Sequence, residues 1–142
     1  MSKRLTFILA AILVGVSTPM MAETSIPNNE LNQYCQDTVQ TMDEIYENGA
    51  LTKCYFTGDS ILEAYQHYRV GLVDGQQFLT KKLMIKTDMD MPCPSEGCVA
   101  IRYRWNGGQN LKIEQEFEGG ETHLQFRQNS DGTSLEITKH LD

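Results

Sequence analysis

Positive charge, histidine, tryptophan and proline are all scarce in this chain. Its 142 residues hold 12 Lys and Arg against 19 Asp and Glu, with three His, one Trp and four Pro. The shortage of cations argues against nucleic acid or an anionic membrane as partner, because both are gripped by clustered Lys and Arg. The histidines, His67, His123 and His140, stand at no helical metal spacing. A glycine-rich phosphate loop and a strand-turn-helix nucleophile elbow are both missing. Glu114 and Glu116 fall on neighbouring outward positions of an expected strand, where solvated charge is the simpler reading. Glycoside hydrolysis would instead need one carboxyl with a raised pKa inside a cleft. His67 is the residue on which a small hydrolase could be built, but a solvated or partly packed histidine is plainer. The sequence therefore assigns no catalytic residue, no metal and no cofactor.

A long apolar run occurs once. Ser2-Lys3-Arg4 precedes Leu5 to Val16, and Ser17-Thr18-Pro19-Met20-Met21-Ala22 closes the segment on a small residue. These are the three parts of a secretory signal, with cleavage expected after Ala22. About a dozen apolar residues fall short of the roughly 20 that span a bilayer. The expectation is a signal peptide over 1–22, one domain over 23–142, no stable membrane anchor and a periplasmic location. Removing Lys3 and Arg4 leaves ten basic against 19 acidic residues, a balance of −9. That surface suits solubility, and it would also steer a basic protein partner.

Cysteine is present in an even number, four, all within the exported part: Cys35, Cys54, Cys93 and Cys98. In an oxidising compartment this points to two disulfides. Cys93–Cys98 with Cys35–Cys54 is favoured, because each then closes a local loop. The four-residue spacer between Cys93 and Cys98 is also allowed for zinc ligands, but the other two cysteines are far apart and no histidine is near.

The hydrophobic period changes near residue 98. Leu31, Tyr34, Cys35, Val39, Met42, Ile45 and Tyr46 recur at three- and four-residue steps, which predicts a helix stopped by Asn48-Gly49. Ser60-Ile61-Leu62-Glu63 predicts the start of a second helix with Ile61, Tyr65, Tyr68 and Leu72 inward, ending at Asp74-Gly75. Phe78 to Met84 suggests a shorter helix, and Thr87 to Pro94 a loop. After Cys98 the period is two, with turns at Asn106-Gly107-Gly108, Gly119-Gly120 and Ser130-Asp131-Gly132. If the last two are two-residue turns, Ile113 faces Phe126 and Phe126 faces Ile137. The other face, with Arg102, Lys112, Glu114, Glu116, His123, Arg127 and Glu136, should stay wet. The expected fold is α+β in two layers: N-terminal helices packed on a C-terminal four-stranded antiparallel meander.

The segment Cys93-Pro94-Ser95-Glu96-Gly97-Cys98 is the best candidate for function. A bridge from Cys93 to Cys98 would fix the shape of Pro94, Ser95, Glu96 and Gly97 before a partner arrives, which lowers the ordering cost of binding. The same bridge could equally serve as a stabilising clip on a hairpin rim. Followed by an alternating strand ending in Trp105, this segment resembles the lysozyme-binding loop of the periplasmic inhibitor of vertebrate lysozyme family. That family also has Cys-x4-Cys with a proline in the ring and a following strand with a Trp. The resemblance implies a loop that enters a lysozyme cleft; the family's central histidine is replaced here by Ser95 and Glu96. Tyr68-Arg69-Val70-Gly71-Leu72-Val73-Asp74 is similar to the Tyr-x-x-Gly-x-x-Asp helix of exported immunity proteins against type VI secretion toxins. Size, export and acidity also suit a bacteriocin immunity protein of the pesticin immunity type. The expected function is thus a periplasmic immunity protein or inhibitor of a basic cell-wall hydrolase or bacteriocin. The alternatives are a non-catalytic accessory module of the envelope, working in adhesion, stress or surface assembly, and, less favoured, a small hydrolase using His67.

Overall fold

The computed structural model describes Gly15 and residues 30–142; the rest of the expected signal segment lies outside the described residues. Among them, no helix is long and apolar enough to cross a membrane.

The described chain is dominated by one antiparallel sheet of seven strands, which replaces the expected helical half. The strands are β1 (Cys35–Asp37), β2 (Ala50–Thr57), β3 (Met89–Met91), β4 (Cys98–Trp105), β5 (Asn110–Phe117), β6 (Gly120–Gln128) and β7 (Gly132–Leu141). Their order across the sheet is β1-β2-β7-β6-β5-β4-β3. The two α-helices are α1 (Met42–Asn48) and α2 (Ile61–Gly71), with short 3-10 turns at Glu30–Gln33 and Gln76–Phe78. The four-stranded meander is present as β4 to β7, but β7 goes on to pair with β2 along its length, from Ala50↔Lys139 to Thr57↔Gly132.

The helical stripe expected from Leu31 to Tyr46 is broken for local reasons. Cys35 sits directly opposite Cys54 in the β1–β2 pair, not on a helix face. Helix begins only at Thr41-x-x-Glu44, where the Thr hydroxyl accepts from the Glu44 N–H and the Glu44 carboxylate accepts from the Thr41 N–H. It does stop at Gly49, as the Asn48-Gly49 pair predicts. α2 starts at the same kind of reciprocal cap, Ser60 with Glu63, but ends at Gly71, before Asp74-Gly75. The stretch expected to be a loop from Thr87 to Pro94 contains the edge strand β3.

One face of the sheet carries Phe56, Ile101, Tyr103, Leu111, Ile113, Leu124, Phe126 and Leu135, each at most 1% exposed, beneath α2 and the segment after it. The facing layer supplies Ile61, Ala64, Tyr65, Tyr68, Leu79 and Leu83. The pairings differ from expectation by two residues. Ile113 faces Leu124, and Phe126 faces Leu135. The β5–β6 turn is centred on Glu118-Gly119, and the β6–β7 loop runs from Asn129 to Gly132. An even shift keeps every side chain on its face, so the inward apolar set survives the change of register.

Three phenols hold the layers together. Thr80 N–H donates to Tyr103 (2.9 Å), Tyr103 and Tyr65 share a hydrogen bond (3.0 Å), and Tyr65 donates to the Thr80 carbonyl (2.6 Å). Tyr68 packs edge-on against Phe126. Burial pushes Tyr65 and Tyr68 well above the ordinary tyrosine range and raises Tyr103 too, against the opposing effect of its hydrogen bonds to Tyr65 and Thr80. In the unfolded chain they ionise near pH ~10. Their preference for the neutral form therefore stabilises the fold fully below that pH, and the contribution is lost as pH rises above it, by about 1.4 kcal/mol per unit per group. Phenolate absorbance at 295 nm from these three should rise only together with the loss of far-ultraviolet circular dichroism. Full ionisation of all six tyrosines with the dichroism intact would contradict the buried network.

Candidate functional site

The β3–β4 hairpin places the cysteine ring. Met91 pairs with Ile101, and the chain then leaves the sheet through Pro92 and returns at Cys98, which pairs with Phe117 on β5. Cys93–Cys98 closes the loop, and Cys35–Cys54 joins the other edge of the sheet; no described cysteine is free. Both ring cysteines pack against the core. Pro94, Ser95 and Glu96 are exposed, and Gly97, at φ +84°, turns the chain back into the strand. The Gly97 carbonyl accepts from the Glu118 N–H at 2.9 Å, so the ring is fastened at its base to the β5–β6 turn. Among the described residues, Glu96 has neither a hydrogen bond nor an ion pair.

That hydrogen bond places the ring within a continuous rim at one end of the sheet. Beyond the Glu118-Gly119 turn, Gly120 pairs with Leu141, Asp142 N–H reaches the Gly119 carbonyl (3.4 Å), and Lys139 pairs with Ala50 beside α1. α1 buries none of its residues. Met42 (78% exposed), Tyr46 (92%) and Leu141 (88%) stand around a shallow cleft that Ile45 and Ala50 help to line. The sequence placed Met42, Ile45 and Tyr46 in a buried stripe, and the Thr41-x-x-Glu44 cap was the signal that would have marked α1 as a separate short helix.

The polar face of the sheet is internally neutralised. Arg102 reaches Glu116 (3.2 Å) and Glu114 (3.7 Å), Lys112 reaches Glu114 (2.9 Å), Arg104 reaches Asp90 (2.8 Å) and Arg127 approaches Glu136 (3.8 Å). The Lys112 hydrogen bond holds Glu114 below the usual carboxylate range, against the opposing effect of its slight burial. His123 pairs with Glu121 (2.9 Å) and its ring meets that of His140 edge-on. Among the described residues, no group of three or more His, Cys, Asp and Glu is arranged to hold a metal ion.

His67 is tied to Asp59 (Nδ1 to Oδ2, 2.6 Å) and stacks on Tyr34 and Phe56. Among the described residues, its hydrogen-bond partner is Asp59, and no serine, threonine or cysteine is hydrogen-bonded to it. Its visible work is to fasten the corner between β2 and α2. The residues of the Tyr-x-x-Gly-x-x-Asp stretch have packing roles: Tyr68 is in the core, and Gly71 lies so close to Leu31 that a Cβ would stand 2.8 Å from that side chain. Asp74 is exposed.

Comparison with known family models, with characterised proteins and with solved structures finds no match for this chain.

Proposed function

We propose that this protein is an exported immunity or inhibitor protein that binds and blocks a cell-wall-degrading hydrolase, either a bacteriocin or a lysozyme-like muramidase, in the periplasm. The observation that carries this is the ring. Three exposed side chains, Pro94, Ser95 and Glu96, project from a loop closed by Cys93–Cys98 and hydrogen-bonded at its base to the neighbouring turn. Such a loop enters a concave site without first having to be ordered. Glu96 is its only charged group, and the absence of a partner among the described residues leaves it free to meet a donor in a cationic cleft. The resemblance to the lysozyme-inhibitor loop and the acidic balance of the chain support the same class of partner.

The test is inhibition of cell-wall lysis by a panel of cationic muramidases: c-type and g-type lysozymes and a phage-type muramidase domain of the kind carried by bacteriocins. At least one should be inhibited with one-to-one stoichiometry. Glu96→Ala should then shorten the lifetime of that complex, by about 1–3 kcal/mol in binding if the carboxylate meets a donor in a desolvated cleft. Failure to inhibit any member would remove the muramidase assignment. Unchanged dissociation for both Glu96→Ala and Cys93→Ala/Cys98→Ala would reduce the ring to a structural clip.

A further inference from the structure

We infer that the partner-binding surface is the whole rim from the ring to α1, and that the cleft between α1 and β7 is its apolar anchor point for the same cationic muramidase. This rests on the function proposed above and adds the surface and the chemistry of its partner. Stable complexes engage on the order of 20–30 residues a side, and the three exposed residues of the ring are far too few. Additional surface has to adjoin the ring. The rim does so through backbone hydrogen bonds, Glu118 to Gly97 and Asp142 to Gly119, and through the pairs Gly120↔Leu141 and Ala50↔Lys139. From β4 to β2 is four strand spacings, roughly 19 Å, which is the scale of such an interface.

The composition of the rim differs from that of the adjacent sheet face. On the face, carboxylates alternate with Arg and Lys and are paired. On the rim, Asp43, Glu47, Glu96, Glu118 and Asp142 are exposed, and no ion pair among the described residues involves them. Lys139 is the exposed cation beside them. The rim thus carries a local excess of unneutralised negative charge beside the projecting ring, which complements a basic partner, although exposed carboxylates without an ion pair among the described residues, such as Asp37, Asp74 and Asp131, also lie elsewhere. Within that acidic border Met42, Tyr46 and Leu141 expose three large apolar side chains at 78%, 92% and 88%. An aromatic residue and Met inside a charged border is the composition of a protein-binding patch, with the energetically dominant contacts at its centre. A cationic muramidase that presents an apolar side chain next to its basic surface would seat it between Tyr46 and Leu141 while the ring occupies its cleft.

Surface-plasmon kinetics against the same muramidase panel tests this, using the full exported chain with circular dichroism as the fold control. Tyr46→Ser and Leu141→Ser, both at highly exposed positions, should leave the spectrum unchanged and raise the dissociation rate about tenfold or more. Asp43→Asn/Glu47→Gln should instead slow association at low ionic strength, with the difference shrinking as salt is added. If Glu96→Ala speeds dissociation but Tyr46→Ser and Leu141→Ser keep the wild-type rate, the α1 cleft is not part of the interface and the ring alone stands. If the α1 variants speed dissociation and Glu96→Ala does not, the ring assignment falls and the cleft remains. Absence of binding to every member overturns both.

Discussion

Gly120→Ala should destabilise the fold by about 3 kcal/mol or more, while Gly119→Ala, one residue earlier, should change stability by less than about 0.5 kcal/mol. Gly120 opens β6 at φ +145°, and a Cβ built there would stand 2.2 Å from the His140 carbonyl oxygen and 3.2 Å from its carbon. Both are backbone atoms of a paired strand. Neither can swing aside as a side chain would, so the substitution must open the Gly120↔Leu141 pair or force the residue out of its conformation. Gly119 has nothing within 4 Å of the same construction. The pair of variants also discriminates between two registers. With Glu118-Gly119 at the centre of the turn, Gly120 is the costly position; with Gly119-Gly120 at the centre, Gly119 would need a conformation that alanine resists and would carry the larger penalty. Urea denaturation followed by circular dichroism gives both numbers. Equal effects, or a larger one at Gly119, would overturn the β5–β6 register.

That register shows how far the sequence could be read and where it stopped. The alternation of Ile101 and Tyr103, Leu111 and Ile113, Leu124 and Phe126, Leu135 and Ile137 identified four strands and their inward face. An apolar residue in every second position has one stable arrangement on a half-buried sheet. It could not fix the pairing itself, because a two-residue slip preserves that alternation and the glycines of Glu118-Gly119-Gly120 permit more than one turn centre. β2 was less visible. Ala50–Thr57 lies between two helical signals, and its pairing partner β7 is some 80 residues away, a contact that no local pattern reports. The helical stripe through Tyr34, Cys35 and Val39 was an accident of spacing: Thr38, Val39 and Thr41 are β-branched, which lowers helix propensity, and Thr41 starts a new helix instead of continuing one. For the candidate site, the ring was legible because cysteine spacing reports directly on a covalent loop. The rim around it was not, since it exists only once β7 has returned beside β2.

Cys35→Ala/Cys54→Ala should lower stability by about 3 kcal/mol, and more than Cys93→Ala/Cys98→Ala, for which about 2 kcal/mol is expected, because the entropy removed from the unfolded chain grows with the loop that a bridge closes. The sequence separations are 19 and 5 residues. The longer bridge also has the harder structural task. β1 is a three-residue edge strand with Gln36 and Asp37 exposed, held besides the disulfide by a few hydrogen bonds, among them Tyr55 N–H to the Tyr34 carbonyl (2.9 Å) and Thr52 Oγ1 to Asp37 (2.6 Å). Without the bridge, β1 has little apolar burial to keep it on β2, and the segment that leads to α1 loosens with it. The shorter bridge closes a hairpin whose strands β3 and β4 already pair from Met89↔Tyr103 to Met91↔Ile101. Its larger effect should be on the shape of Pro94-Ser95-Glu96-Gly97. Urea midpoints of the two double variants give the comparison, with partner dissociation rates measured alongside. The expected pattern is a stability loss dominated by Cys35–Cys54 and a binding loss that, for Cys93–Cys98, exceeds what its stability loss explains. A ring variant that unfolds more readily than the β1 variant, yet binds normally while folded, would make Cys93–Cys98 a fastening of the sheet edge and leave recognition to the α1 end of the rim.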